Sequence, residues 1–147
     1  MRKILVFLLV AVMCTAMCSC SGIKEIEPGF VEFEDSSTIK ITEFLCEDGK
    51  KAYVFFEYTN NGDSSLTMQH YADVRVFQNG VMLDSNIAGF SGFESGNVEQ
   101  DMYDAILPGT TITTAIVFEL ENDSPVVVQL CDHSPEHKPY TKKTFTP

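Results

Sequence analysis

The segment Ala52–Thr59 constrains the fold of this chain more than any other stretch. Its sequence, A-Y-V-F-F-E-Y-T, contains one charged residue, and five of its eight positions are Tyr, Phe or Val. Eight residues are too few for an ordinary helix, and aromatic and β-branched side chains favour extended backbone. The following residues, Asn60-Asn61-Gly62, are typical of a turn. We therefore predict a central strand of a β-sheet at Ala52–Thr59.

Length and composition predict one folded domain with an acidic surface. The chain has 147 residues, 44% of them hydrophobic, which is enough for a single core. Its net charge is −11, and it becomes −13 if a segment with Arg2 and Lys3 is removed, because 8 basic residues then face 21 acidic ones. Such a surface repels nucleic-acid phosphates, so we expect no nucleic-acid partner. The charge is expected to keep the domain soluble and monomeric, and a cation-binding role is the alternative.

The first 19 residues have the pattern of an export signal. A basic start at Met1–Lys3 precedes ten uninterrupted apolar residues, Ile4–Met13, and a region rich in small residues follows. The apolar run is shorter than the about 20 residues that cross a bilayer, which argues against a permanent transmembrane helix. We therefore predict a signal peptide at residues 1–19.

The end of this signal resembles the lipobox of bacterial lipoproteins. A lipobox has an aliphatic residue and two small residues before the cysteine that receives a diacylglycerol, and here Met17-Cys18-Ser19 precedes Cys20. Met17 and Cys18 depart from the usual residues at their positions. The resemblance implies a lipid on Cys20 that holds the protein at the extracytoplasmic face of the cell membrane, since an anchor with two chains binds stably. The alternative is a plain secretory signal with incidental cysteines.

Alternating apolar residues and turn signals divide the rest of the chain into strands. Residues 20–37 are polar and acidic and are predicted to form a tether, within which residues 30–33 could make a short first strand. Glu47–Lys50 and Asn79-Gly80 are predicted to be the turns of antiparallel hairpins. In the folded domain, expected at residues 38–147, the predicted strands are Thr38–Cys46, Ala52–Thr59, Ala72–Gln78, Val81–Leu83, Thr110–Leu120, Val126–Leu130 and Thr141–Phe145. About seven short strands without a helical period predict an all-β, antiparallel β-sandwich.

Three of these segments resemble a known family. They are Phe55–Asp63 (F-F-E-Y-T-N-N-G-D), Val74–Leu83 (V-R-V-F-Q-N-G-V-M-L) and Leu107–Leu120 (L-P-G-T-T-I-T-T-A-I-V-F-E-L). The sequence from Ile39 to Phe145 is similar to small bacterial lipoprotein domains of unknown function with a telokin-like, immunoprotective-extracellular type of immunoglobulin-like sandwich. The resemblance implies an immunoglobulin-like β-sandwich in the cell envelope. It implies no activity, because no catalytic residue of the family is established.

The sequence contains no pattern that indicates catalysis or a metal site, so we predict a protein that is not an enzyme and needs no cofactor. His133 and His137 lie in D-H-S-P-E-H, and two histidines four residues apart can bind zinc on a helix. Pro135 argues against that helix, and in an extended segment the two rings would lie about 13 Å apart. A solvated, acidic turn is therefore expected. Gly89–Gly92 (G-F-S-G) lacks the strand-to-helix context of a nucleophile elbow.

Two cysteines remain in the folded part, Cys46 and Cys131, and each closes a predicted strand. Exported proteins meet an oxidising environment, so an even pair could form a disulfide. The alternative is that both are small buried hydrophobic residues. Whether the two strands are neighbours decides between these interpretations, because a disulfide needs Cα atoms within about 7 Å.

A long loop, Ile87–Tyr103, is the predicted partner-binding surface, with Phe90, Phe93 and Tyr103 as anchors. Loops vary on a rigid scaffold, and aromatic side chains supply large contact areas. The alternative is that these aromatics cover an open edge of the sandwich.

We predict a lipid-anchored envelope module that binds a protein or glycan, and the alternative function is a small-ligand or calcium carrier that uses loop acids. Those acids are Glu94, Glu99, Asp101 and Asp104.

Overall fold

The computed structural model describes residues 22–84 and 102–147 of the chain. This part is nearly all β-structure, with nine strands and one short helix. In chain order they are β1 (Lys24–Glu27), β2 (Phe30–Glu32), β3 (Thr38–Glu47), β4 (Lys51–Asn60), α1 (Met68–Tyr71), β5 (Asp73–Gln78), β6 (Val81–Met82), β7 (Thr110–Glu119), β8 (Val126–Cys131) and β9 (Pro139–Phe145). The predicted signal peptide and Cys20 lie outside the described residues.

The strands form two antiparallel sheets that pack as a β-sandwich, which confirms the predicted all-β fold. The first sheet has the order β1-β2-β3-β4-β7 and the second has the order β6-β5-β8-β9. Strand β4 lies between β3 and β7 and pairs with both over its length, so its predicted interior position is correct. Its predicted hairpin with β3 is also present.

The core lies between the sheets and follows the alternation of β4. The side chains of Ala52, Val54, Phe56 and Tyr58 are fully buried, whereas Glu57 is exposed. Successive side chains of a strand point to opposite faces, so one face of β4 supplies the centre of the core. The opposing sheet completes it with Val76, Val126, Val128 and Leu130.

The sandwich has two ends that differ in what they carry. The turn between β3 and β4 lies at one end, which we call the hairpin end. Helix α1, the turn between β2 and β3 and the connection between β8 and β9 lie at the other, which we call the α1 end.

At the hairpin end the buried Gln78 donates from Nε2 to the carbonyls of Asn122 (2.7 Å) and Ser124 (2.9 Å), and its Oε1 accepts from the Glu121 N–H at 2.9 Å. These bonds attach β5 to the connection between β7 and β8, where the chain crosses from the first sheet to the second.

The turn Asn79-Gly80 forms the hairpin between β5 and β6 as predicted. Both residues have positive φ angles, 53° and 78°. Two-residue hairpin loops favour positive φ at both positions, and Asn and Gly tolerate it best. Local turn chemistry therefore determines this register.

The folded domain begins earlier than predicted. Strands β1 and β2 extend the first sheet beyond β3, so the boundary between tether and domain at residue 38 lies inside the fold. Val31 and Phe33 are part of the core. All four residues of β1 are exposed, and this edge position explains why the segment has the acidic composition of a tether.

Thr114 on β7 has a buried hydroxyl without a hydrogen-bond partner in the described part of the chain. It pairs with Phe56 and faces the core. An unpaired buried hydroxyl costs roughly 1–3 kcal/mol, so we expect Thr114→Val to raise the free energy of unfolding by about 1 kcal/mol. Urea denaturation checks this, with Thr113→Val on the opposite face as the control. A variant less stable than the wild type would contradict the prediction.

Within residues 22–84 and 102–147, no helix is long and apolar enough to cross a membrane.

Candidate functional site

An open cleft at the α1 end is the candidate functional site. Three connections build it: the turn before β3, helix α1 and the segment between β8 and β9. We call it the aromatic cleft, and its volume is about 340 Å³. Its lining residues are Ile23, Phe33, Glu34, Asp35, His70, Tyr71, His133 and Tyr140.

The ring of Phe33 contacts the rings of Tyr71 and Tyr140 in the cleft. The centroids of Phe33 and Tyr71 lie 4.8 Å apart with an interplanar angle of 42°. Those of Phe33 and Tyr140 lie 5.8 Å apart at 85°, which is an edge-to-face contact. Such pairs contribute about 0.5–1.5 kcal/mol beyond the area they bury. Phe33 is buried and anchors the cluster to the core, while Tyr71 and Tyr140 remain half-buried.

Helix α1 positions Tyr71 by local contacts. Thr67 caps the helix, because its Oγ1 accepts a hydrogen bond from the His70 N–H at 3.1 Å. Met68 is fully buried, and the Ala72 N–H closes the single turn by donating to the Met68 carbonyl. The buried methionine and the cap hold the turn in place, so that His70 and Tyr71 both reach the cleft.

A chain of hydrogen bonds orients the polar groups of the cleft. The Asn61 N–H donates to Ser37 Oγ (2.9 Å), and Ser37 Oγ donates to the Tyr71 hydroxyl (3.0 Å). The Tyr71 hydroxyl donates in turn to Asp35 Oδ2 at 2.5 Å, and Asp35 Oδ1 accepts from the Ser37 N–H at 2.9 Å. Serial donors polarise one another, which strengthens the last bond to the carboxylate.

This network shifts the pKa values of its two titratable ends in opposite directions. Partial burial raises the pKa of Asp35, but the hydrogen bonds from Tyr71 and Ser37 outweigh it, and the net pKa lies below its ordinary value. Burial and then the hydrogen bond to Asp35 raise the pKa of Tyr71. The cleft therefore presents an ionised carboxylate beside a neutral phenol at neutral pH.

Gly62 is required where its backbone touches this network. A Cβ atom at Gly62 would lie 2.6 Å from Asp35 Oδ2 and 3.1 Å from the Tyr71 hydroxyl. Real Cβ atoms essentially never make contacts as short as 2.6 Å, so any larger residue at this position would displace the Asp35 carboxylate. The sequence predicts that the strand ends at Asn60-Asn61-Gly62, and β4 does end at Asn60, but the close approach at Gly62 is visible only in the structure.

Asp35→Asn is expected to make the free energy of unfolding less dependent on pH in the acidic range. The folded pKa of Asp35 lies below its ordinary 3.8, so its contribution is present above that pH and is lost as the pH falls through the folded value. Because Asp35 is exposed, we expect a loss of only about 0.5–1 kcal/mol in the variant at neutral pH, and a smaller difference near about pH 3. Urea denaturation at both pH values checks this, with Asp123→Asn at the hairpin end as the control. If the difference in unfolding free energy between wild type and Asp35→Asn grew as the pH fell, the predicted direction of the pH dependence would be wrong.

The structure separates the two cysteines. Cys46 is exposed near the hairpin end and Cys131 is buried at the α1 end, and both are free thiols. They lie at opposite ends of the sandwich, so the possible disulfide between them is not formed in this structure. Burial raises the pKa of the Cys131 thiol, which makes it a small buried hydrophobic residue.

The histidines of D-H-S-P-E-H point to different places. His133 lines the aromatic cleft, whereas His137 Nδ1 lies 3.3 Å from Asp73 Oδ2, an oxygen that Arg75 Nε also approaches at 3.2 Å. The segment is a turn in which Asp132 Oδ1 accepts from the Ser134 and Lys138 N–H groups. Among the residues with described positions, no group of three His, Cys, Asp or Glu side chains could hold a metal ion.

The predicted partner-binding loop falls mostly outside the described residues, and so do its anchors Phe90 and Phe93. Tyr103 is described and is 39% exposed, and Leu107 beyond it is 68% exposed. The chain rejoins the fold through the pairing of Ile106 with Leu66, which immediately precedes the cap of α1. The end of this loop is therefore at the same end of the sandwich as the cleft.

Sequence reasoning did not find the aromatic cleft. Its three rings belong to a turn, a one-turn helix and the start of β9, and Asp35 and Tyr71 are 36 residues apart. No local period or motif connects them. The one available signal was the pair Tyr71 and His70 in a short segment between predicted strands.

Fold and site together define a two-sheet β-sandwich with an open cleft of aromatic and acidic residues at one end. A family model, the domain of unknown function DUF5067, matches residues 23–132. The chain belongs to this family. The matched range includes β1 and β2, in agreement with the earlier start of the domain. No curated protein matches the chain.

Two solved structures have a similar fold, and each is described as a "putative lipoprotein". One, from Staphylococcus aureus subsp. aureus NCTC 8325, is 19% identical, with a TM-score of 0.63 over 85% of this chain and 93% of that one. The other, ycdA from Bacillus subtilis subsp. subtilis str. 168, is 12% identical, with a TM-score of 0.50 over 82% of this chain and 38% of that one. At these identities the similarity establishes the β-sandwich fold.

Proposed function

We propose that this chain is a lipid-anchored protein of the bacterial cell envelope that binds a partner in the aromatic cleft and catalyses no reaction. The observation that carries the proposal is the cleft itself, where three contacting rings and an oriented carboxylate open to solvent. Concave sites lined by aromatic side chains with a few fixed polar groups are typical of ligand binding. The telokin-like resemblance supports an immunoglobulin-like sandwich, whose end loops commonly carry recognition.

The protonation states of the cleft favour binding over catalysis. Tyr71 has a raised pKa and stays a neutral donor, and Asp35 has a lowered pKa and stays an acceptor. A general base works best when its pKa lies near the operating pH, and neither group is shifted toward neutrality. Their hydrogen bond instead fixes the geometry of the recognition surface.

The position of the cleft agrees with a lipid anchor on Cys20. Ile23 lines the cleft and is three residues from Cys20, a span of at most about 10 Å of extended chain. An anchor at Cys20 would place the α1 end next to the membrane surface. The binding cleft would then face the envelope layer immediately above the lipid.

Cys20→Ala is expected to move the protein from the membrane fraction to the soluble fraction, because an anchor with two acyl chains is lost. Cys18→Ala is the matched control and is expected to remain in the membrane fraction. Mass spectrometry of the native amino-terminal peptide identifies the modified residue. An unmodified Cys20, or a mature chain that starts elsewhere, would contradict the prediction.

Capture of partners by cross-linking in intact envelopes tests the binding function. Tyr140→Ala removes one wall of the cleft and is expected to abolish capture while the domain stays folded with a lower melting temperature, because Tyr140 is half-buried and contacts Phe33. Tyr53→Ala at the hairpin end is the matched control. In the same experiment a Phe90→Ser, Phe93→Ser double variant tests the predicted loop: loss of capture at unchanged stability supports it, whereas a loss of several kcal/mol marks core residues.

A small-ligand carrier is the second candidate function, and the cleft volume favours it. About 340 Å³ lies in the range of small-molecule sites, roughly 300–1,000 Å³. A ligand that binds the folded state raises the melting temperature. A shift with a soluble metabolite or with calcium that Tyr140→Ala removes would favour the carrier over the interaction module.

A further inference from the structure

With its two histidines, His70 and His133, neutral, the aromatic cleft has charge of one sign. Two carboxylates, Glu34 and Asp35, line it, and no Lys or Arg is among its lining residues. Both carboxylates are exposed, and the hydrogen bonds from Tyr71 and Ser37 hold that of Asp35 in one orientation. The whole chain has a net charge of −11, which adds a long-range field of the same sign.

The arrangement of the rings suits a compact cation better than a flat ring. Interplanar angles of 42° and 85° make the three rings inclined walls, whereas stacking of a sugar requires one flat platform. Aromatic faces attract ammonium groups within about 6 Å, and the attraction grows when water is excluded. Inclined rings beside a carboxylate therefore match a cation from several sides.

We infer that the aromatic cleft binds a lysine ammonium group presented by a basic segment of a partner protein. This inference rests on the proposed function, since it names the partner chemistry of the same cleft. The ammonium would lie beside Asp35 and between the Tyr71 and Tyr140 rings, and its aliphatic stem would contact Ile23. The negative surface would attract the basic segment and raise the association rate.

A lysine side chain fits better than an ammonium-bearing lipid headgroup. In a zwitterionic headgroup a phosphate lies close to the ammonium, and Glu34 and Asp35 would repel it. A lysine carries its charge on a four-carbon stem, so the ammonium can enter without a neighbouring anion.

Peptide binding to the full chain, extracted from membranes with a nonionic detergent, tests the inference. The probe is a short fluorescent peptide of alternating lysine and glycine, measured by anisotropy at roughly 0.15 M salt, where distant surface charges are screened. Asp35→Asn and Tyr140→Ala are each expected to weaken binding by at least about tenfold. Asp123→Asn makes the same change in net charge at the hairpin end and is expected to alter binding by less than about twofold. The peptide with acetylated lysines is expected not to bind.

Glu34→Gln keeps the test valid if Asp35→Asn fails to fold, because Glu34 is exposed and its replacement should not disturb the fold. Glu34→Gln should also weaken peptide binding more than Asp123→Asn does. Equal losses for Asp35→Asn and Asp123→Asn, or equal binding of the acetylated peptide, would overturn the inference. So would displacement of the labelled peptide by soluble glycerophosphoethanolamine at a lower concentration than the unlabelled peptide requires. If envelope capture needs Tyr140 but the lysine peptide does not bind, the partner chemistry is wrong and the proposed function stands. If capture is indifferent to Tyr140, the proposed function itself fails.

Discussion

Phe56→Ala is expected to lower the free energy of unfolding by about 3–5 kcal/mol, the typical cost of truncating a buried aromatic residue. Phe56 is fully buried at the centre of β4, where it pairs with Ile41 on β3 and with Thr114 on β7. Because β4 is interior and paired on both sides, neighbouring backbone cannot easily collapse into the space. The loss therefore includes both the transfer of the ring to water and the cavity that remains.

Urea denaturation at equilibrium measures this loss, with Glu57→Ala as the matched control on the same strand. Glu57 is exposed on the opposite face, so its truncation should change the free energy of unfolding by less than about 0.5 kcal/mol. A loss below about 1 kcal/mol for Phe56→Ala would show that this position is not in a well-packed core. A similar loss of unfolding free energy in Phe56→Ala and Glu57→Ala would indicate that truncation anywhere on β4 destabilises the domain. The loss could then not be assigned to the core side chain.

Asn60→Leu is expected to cost about 2–4 kcal/mol, because it removes three hydrogen bonds from a fully buried amide. Nδ2 donates to the carbonyls of Ile106 (2.8 Å) and Ser64 (2.9 Å), and Oδ1 accepts from the Gly62 N–H at 3.0 Å. Leucine has a similar size but no polar atoms, so these backbone groups would lose their partner. The side chain of Asn60 thus holds together the loops beneath the cleft.

Asn61→Leu is the control for this prediction. Asn61 is exposed and its side chain donates one hydrogen bond, to the Ser36 carbonyl at 2.8 Å, so its loss should cost no more than about 1 kcal/mol. Asn60→Leu should in addition weaken binding in the cleft, because Asn60 Oδ1 holds the N–H of Gly62, where an added Cβ would meet Asp35 and Tyr71. A stable Asn60→Leu variant would show that water satisfies the three groups.

The strands could be predicted from the sequence because their signals are local. Apolar alternation and turn residues located β3, β4, β5, β7 and β8 within one or two residues. Asn79-Gly80 set the register of one hairpin through its own backbone preference. These features depend on neighbours along the chain, and tertiary contacts did not alter them.

The domain boundary could not be predicted, because composition does not distinguish an edge strand from a tether. Three of the four residues of β1 are charged and all four are exposed, yet its backbone pairs with β2. Thr141 on β9 joins this edge to the second sheet, since its Oγ1 donates to Glu25 and accepts from the Gly29 N–H. Hydrogen bonds between backbones, and not burial of apolar side chains, place this segment in the sheet.

The two cysteines illustrate the same difference. Each closes a strand in the sequence, which suggested a partnership, but distance decides whether a disulfide forms. Cys46 pairs with Ala52 near the hairpin end, whereas Cys131 pairs with Asp73 at the α1 end. Which strands are neighbours depends on the topology of the two sheets, and spacing in the sequence does not contain that information.

The sequence by itself determined the fold class, the position of β4 and its apolar face, because alternation over a few residues decides which side chains are buried. Only the tertiary structure determined which residues meet to form the aromatic cleft. Phe33, Tyr71 and Tyr140 come from a turn, helix α1 and the start of β9, and they meet because both sheets end at the same side of the sandwich. Gly62 shows the physical reason: the space for a side chain at this position is taken by Asp35 and Tyr71, two residues that are distant from it in the sequence.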